Sequence, residues 1–267
     1  MSWSRARRRL TGSADLSDVL SAERAAAADG NVARIGVVIP SVNTVVEPLF
    51  AAALSGRLDV HAARMPIGID VTPEALADMD THGVECAAVL ATCEPDAILY
   101  GCSASTLLRG HDYDRDLKEQ LESRTGVPCA TATDAVVRAL RAVGASSLCI
   151  ASPYPAAIDA AEVSFLEQAG FEVRNVASLE ITRGTEIARV GGERIAVLAR
   201  AAGSVGSDAL LISCLNFRSH LVAHALEAEL DRPVITATTA SLWRMLQLTG
   251  HDCALPSALV PLVGGGR

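Results

Sequence analysis

Asp96-Ala-Ile-Leu-Tyr-Gly-Cys102 and Asp208-Ala-Leu-Leu-Ile-Ser-Cys214 lie 112 residues apart and share one pattern: an aspartate, a short apolar run, a small residue and a cysteine. The apolar runs are too short for helices and have the near-continuous hydrophobicity of strands buried on both faces. Other segments repeat in the same order around them. Arg34-Ile-Gly-Val-Val-Ile-Pro40 matches Ser147-Leu-Cys-Ile-Ala-Ser-Pro153, and Pro128-Cys-Ala-Thr-Ala-Thr133 matches Pro233-Val-Ile-Thr-Ala-Thr238. Three matched segments at nearly constant offset indicate two similar units, because the matches run past the strands into the turns.

Between these segments, strand-like runs alternate with helical ones. Strands are expected at 35–39, 58–65, 97–100 and 127–131. Helices are expected at 45–54, 73–93 and 112–123, the second beginning with Pro73 in its first turn. This pattern predicts an α/β fold of two pseudo-symmetric lobes, each a four-stranded parallel sheet flanked by helices, with the active site in the cleft between them. We expect residues 1–30 to be a partly flexible extension. Residues 31–132 with 239–267 would form the first lobe and 133–238 the second, a C-terminal helix at about 239–249 packing back on the first lobe.

Composition excludes several chemistries. Of the 23 basic residues among 267, Lys118 is the sole lysine, and it lies in a charged run suited to a solvated helix face. That leaves no P-loop lysine and no Schiff-base lysine. A net charge of −8 with 3% aromatic residues argues against nucleic-acid binding. No GxGxxG occurs, so dinucleotide binding of that type has no support. No apolar stretch is long enough to span a membrane, and the arginines at 5 and 7–9 are not followed by the apolar segment of a signal peptide. His220 and His224 could share a helix face, but the glutamate of a zincin is missing, and a surface or subunit-contact helix is the expectation. Gly101-Cys-Ser-Ala-Ser105 lacks the second glycine of a nucleophile elbow. Glu47 and Asp134 are expected to serve the first turns of their helices.

The seven cysteines are odd in number and contain no CxxC pair, which suits reduced thiols in the cytoplasm. Cys86, Cys93, Cys129, Cys149 and Cys253 are expected to be inert packing residues. Cys102 and Cys214 are singled out by the repeat. Each ends a strand, where ligands bind in open parallel sheets, and the amide N–H groups of a following turn favour anions and lower a thiol's pKa.

Pro40-Ser-Val-Asn-Thr44, Tyr100-Gly-Cys-Ser-Ala-Ser-Thr106, Ser152-Pro-Tyr154 and Ser213-Cys-Leu-Asn-Phe-Arg218 resemble the maleate cis–trans isomerase branch of the aspartate/glutamate racemase superfamily, which includes arylmalonate decarboxylases. The resemblance runs from about Arg34 to Gly250. It implies a cofactor-independent cis–trans isomerase of a small unsaturated dicarboxylate, with no metal and no cofactor, working through a succinyl-cysteine intermediate. Cys102 would be the nucleophile and Cys214 the acid/base. Asn43 would hold a carboxylate, with Pro40 and Ser41 shaping its loop. Tyr154 would donate its hydroxyl, and backbone N–H groups near Ser103, Ala104, Leu215 and Asn216 would add donors. Thr185 stands roughly where the family commonly has an asparagine for the second carboxylate. The resemblance also implies a homodimer or homotetramer. The alternatives are an arylmalonate-type decarboxylase, which needs only the second thiol, a two-cysteine racemase, and a carboxylate-binding protein without turnover.

Overall fold

The structure, a computed structural model, describes residues 32–54, 58–68 and 70–251. In the first half, β1 (Ala33–Pro40), α1 (Val46–Leu54), β2 (Leu58–Met65), α2 (Pro73–Asp80), α3 (Gly83–Ala91), β3 (Ala97–Tyr100), α4 (Ser103–Thr125) and β4 (Cys129–Thr131) follow one another. α5 (Ala132–Ala142) leads into the second half. That half contains β5 (Ser147–Ser152), α6 (Ala156–Gln168), β6 (Glu172–Ser178), α7 (Gly184–Ile187), α8 (Gly192–Ala202), β7 (Ala209–Ile212), α9 (His220–Leu230), β8 (Val234–Thr236) and α10 (Ala237–Leu248). Two four-stranded sheets result, ordered β2-β1-β3-β4 and β6-β5-β7-β8, with all pairings parallel. The predicted α/β fold of two parallel sheets is present.

The repeat extends to hydrogen bonds. Asp96 accepts the backbone N–H of Arg34 at 2.7 Å, and Asp208 accepts that of Ser147 at 2.8 Å, so one aspartate ties each third strand to the start of the central one. Thr131 caps α5 by accepting from Asp134 N, and Thr236 caps α10 by accepting from Thr239 N. Strand and helix therefore join without an intervening loop at both places.

Because side chains alternate along a strand, each sheet fills two layers. Ile35, Val37, Leu99, Leu148, Ile150, Leu211 and Ile235 face a layer shared with α1, α5, α6 and α10. Val38, Ile98, Tyr100, Cys149, Leu210 and Ile212 face the opposite side, under helices of their own half. α10 packs chiefly on α5 and also touches β3 and β4 of the first sheet, which joins the halves through an apolar layer.

Two helix expectations need correction. The helix expected at 73–93 is two, α2 and α3, because Asp80 turns inward to accept from Tyr100 and Tyr113, and Gly83 passes against the Tyr100 ring. A Cβ on Gly83 would lie 2.8 Å from Tyr100 Cε2, which only glycine avoids. The helix expected from 112 already starts at Ser103. It bends at Gly110, whose φ of 83° interrupts the helical path. Residues 1–31 and Cys253 lie outside the described residues, of which no helix is long and apolar enough to cross a membrane.

Candidate active site

The carboxyl ends of the two sheets meet around a cavity of about 50 Å³. Pro40, Val42 and Asn43 line it from the end of β1, and Gly101, Cys102, Ser103 and Ala104 from the β3–α4 junction. Tyr154, Cys214, Leu215 and Asn216 come from the second half. Ile67, Val71, Leu76, Gly184 and Ile187 complete the wall. Among the described residues, no charged side chain lines the cavity.

Cys102 stands at the N-cap of α4 with extended backbone, φ −133°. Its side chain makes no capping bond, and the Ser105 hydroxyl donates to the Cys102 carbonyl at 3.4 Å, but the N–H and hydroxyl of Ser105 lie close enough to favour the thiolate. Burial outweighs these donors and pushes the thiol up to about 12, with the nearby Asp80 and Cys214 adding to the rise. Cys214 has a different backbone. Its φ of 74° is left-handed, a conformation that costs a non-glycine residue about 1–2 kcal/mol. The turn brings the N–H groups of Asn216 and Phe217 and the Tyr154 hydroxyl onto the sulfur, yet burial still pushes this thiol up to about 11. The expectation of lowered thiol pKa values is thus corrected. The donors are there, but desolvation is the larger effect.

The remaining groups hold the loops or offer donors. Asn43 accepts from Val45 N and Val46 N with its side-chain oxygen at 2.9 and 3.0 Å, which starts α1 and leaves its NH2 group for a ligand. Arg64 donates to the carbonyls of Ser41 and Asn43 and pairs with Glu47, fixing that loop from outside. No motif marks Arg64 in the sequence, since it is an ordinary exposed strand residue until the fold sets it under the loop. Tyr154 Oη lies 3.1 Å from Ser103 Oγ and also reaches Cys214, so it bridges the halves. Asn216 spends its side chain on structure, accepting from Thr44 N and donating to the carbonyls of Val42 and Gly184. Gly184 is tightly enclosed, with a Cβ there placed 2.8 Å from Val42 Cγ2. A backbone bond from Val71 N to Thr182 O draws the two wall segments together over the cavity.

Most residues expected at the site come together here: Pro40, Asn43, Cys102, Ser103, Ala104, Tyr154, Cys214, Leu215 and Asn216. Ser41 and Thr185 are not among the lining residues. Ser41 is exposed and accepts from Ile67 N, and Thr185 is half-buried between two residues that do line the cavity. Other expectations also shift. His220 is buried at the start of α9 and not on a surface, and desolvation lowers it to about 4. Cys93 is exposed, whereas Cys129 and Cys149 are buried as expected. Asp134 pairs with Arg138 in the first turn of α5.

A family model described as arylmalonate decarboxylase matches residues 35–259. The maleate isomerase of Nocardia farcinica is 30% identical over 237 residues, covering 85% of this chain and 94% of its own. The maleate isomerase of Pseudomonas putida is 28% identical, covering 86% and 97%. A solved cysteine-to-serine variant of the Nocardia farcinica maleate cis–trans isomerase, with a covalently bound succinylcysteine intermediate, aligns with a TM-score of 0.81 at 27% identity, covering 88% of this chain and 100% of the other.

Proposed function

Since the chain belongs to the arylmalonate decarboxylase family, and both strand ends carry a cysteine facing one cavity, we propose that it is a cofactor-independent cis–trans isomerase of maleate type. The observation that carries this reading is the pair of thiols, Cys102 and Cys214, on opposite halves of one uncharged cavity. The working state of the pair holds one proton, with Cys102 as thiolate and Cys214 as thiol. Cys102 Sγ forms a bond to one alkene carbon, and the π electrons move onto the adjacent carbon and its carboxylate. Cys214 gives its proton to that carbon and becomes a thiolate. The former double bond is now single and rotates. Cys214 then takes the proton back, the C–S bond breaks, and the trans product leaves with both sulfurs in their starting states. Charge builds on a carboxylate during addition, where the Asn43 amide, the Tyr154 hydroxyl and the N–H groups at the start of α4 can receive it.

Decarboxylation of a substituted malonate is the alternative. It needs one thiol to protonate an enediolate and gives Cys102 no task, so the second cysteine favours the isomerase. The test follows fumarate formation from maleate by proton NMR, with phenylmalonate as the parallel substrate. Turnover of maleate that is lost in both Cys102→Ala and Cys214→Ala supports the isomerase. Carbon dioxide release from phenylmalonate that survives Cys102→Ala supports the decarboxylase. The six described cysteines are all free, which suits a reducing cytoplasm. We take the working form to be a homodimer or homotetramer, which light scattering of the purified chain would check.

A further inference from the structure

Beneath the site lies a carboxyl group that the chemistry above does not use. Glu162 on α6 is 5% exposed, and its two oxygens lie 2.7 and 2.8 Å from Ser213 Oγ. Ser213 immediately precedes Cys214, so this contact holds the residue from which the left-handed turn departs. A second, smaller space of about 10 Å³, roughly the room one water needs, has Glu162, Ser213, Thr133 and Ser103 in a wall otherwise made of apolar side chains such as Leu107 and Leu211. Ser103 in turn meets the Tyr154 hydroxyl. Glu162 therefore reaches the site by two routes, through the chain to Cys214 and across this space to Ser103 and Tyr154.

A wholly desolvated carboxyl with no cation beside it is held as the neutral acid. Burial pushes Glu162 up to about 8, with the Ser213 hydroxyl pulling it down and Asp159 on the same helix pushing it further up. Facing it are Tyr154 and Cys214, each of which its charge disfavours as an anion. His111 on the neighbouring α4 is occupied by the Phe165 carbonyl at 2.8 Å and stacks on that ring. A neutral carboxyl can accept from Ser213 with one oxygen and donate back with the other. An ionised one can only accept.

We propose that Glu162 is a positioning residue for Cys214: its neutral carboxyl fixes Ser213 and the turn that aims the thiol, and its ionisation suppresses the Cys214 thiolate. The proposal rests on Cys214 being the proton carrier of the isomerase, but its test reads the thiol directly, without turnover. In a Cys102→Ser background, the rate of iodoacetamide alkylation at Cys214, located by peptide mass spectrometry, is measured from pH 6 to 10 with Glu162 and with Glu162→Gln. The amide reproduces the neutral acid's donor and acceptor but cannot ionise. With Gln, the rate climbs about tenfold per pH unit throughout. With Glu, the rise flattens above pH 8, leaving the two proteins about three- to tenfold apart at pH 9.5. Glu162→Ala, which cannot hold Ser213, has a lower alkylation rate at every pH. In the otherwise wild-type enzyme it lowers kcat about tenfold with KM little changed, and Gln restores kcat at pH 7. Superimposable pH profiles for Glu and Gln would overturn the proposal, as would an alanine variant indistinguishable from the glutamine one. A protein that alkylates as expected but leaves maleate unchanged would count against the isomerase reading and not against this one.

Discussion

The two cysteine-bearing strand ends repeat each other in sequence and differ in what stands behind them. Tyr100, two residues before Cys102, donates to buried Asp80, whose carboxylate also accepts from Tyr113 at 2.8 Å and faces Arg109 at 3.6 Å. Arg109 lies over the Tyr113 ring as well, 3.7 Å from its centroid. That carboxylate is compensated by a cation and two phenols. Ser213, one residue before Cys214, meets Glu162, which has a hydroxyl for company and, among the described residues, no cation. The backbone differs in the same sense, extended at Cys102 and left-handed at Cys214. Duplicated strands thus deliver two thiols to one cavity, while residues that the repeat does not match, Asp80 on α2 and Glu162 on α6, set their surroundings. Cys102 sits over a carboxyl group held by two phenols and a guanidinium, whereas Cys214 sits in a ring of donors above a carboxyl held by one hydroxyl. The division of labour proposed above, carbon chemistry at the first and proton transfer at the second, comes from the family resemblance and is what the variants below test.

The largest effect that could break the comparison is loss of either thiol. Cys102→Ala and Cys214→Ala should each lower maleate turnover by ~10³-fold or more, measured by proton NMR, because each removes a step that the other half cannot perform. Next comes Tyr154→Phe, expected to cost about 10²-fold in kcat by removing one donor from the developing charge. The same change should raise the Cys214 thiol further and leave Cys102 unchanged, which a thiol titration of each single-cysteine site would reveal. Turnover should also depend on pH. Burial holds both thiols well above neutrality, so kcat/KM should increase from pH 6 to 8 as the pair loses its first proton. A flat profile over that range would mean that the pair has already lost its first proton at pH 6.

Stability separates the halves as well. Asp80→Ala strands the hydroxyls of Tyr100 and Tyr113 and should cost about 3 kcal/mol in urea unfolding. The Glu162 carboxyl is raised in the folded protein from an ordinary 4.5 to about 8. Its contribution is complete below pH 4.5, where both states are protonated. It falls away as pH rises through 8, by at most about 1.4 kcal/mol per pH unit. Glu162→Gln should flatten that slope, which urea unfolding at a series of pH values would show.

Much of this was legible before the fold was known. The strand ends and the cysteine pair lie in segments whose apolar runs and repeats carry their own signal, whereas the donors at Asn43 and Tyr154 were implied only by the family resemblance. The supporting shell was not legible. Asp80 and Glu162 sit in helices at positions that read as solvated acids, and nothing local shows that tertiary packing buries them. The break between α2 and α3 escaped for the same reason, since it is set by Tyr100 some twenty residues downstream. The thiol pKa values escaped because helix-terminal donors show in sequence and the depth of burial does not.

The sharpest measurement of the division of labour is where the substrate carbon becomes attached. Cys214→Ser and Cys102→Ser proteins are each incubated with maleate, quenched in acid, digested and examined by peptide mass spectrometry. The account predicts a succinyl adduct on Cys102 in the Cys214→Ser protein and an unmodified Cys214 in the Cys102→Ser protein. A succinyl group on Cys214, with Cys102 left bare in the reciprocal variant, would contradict it.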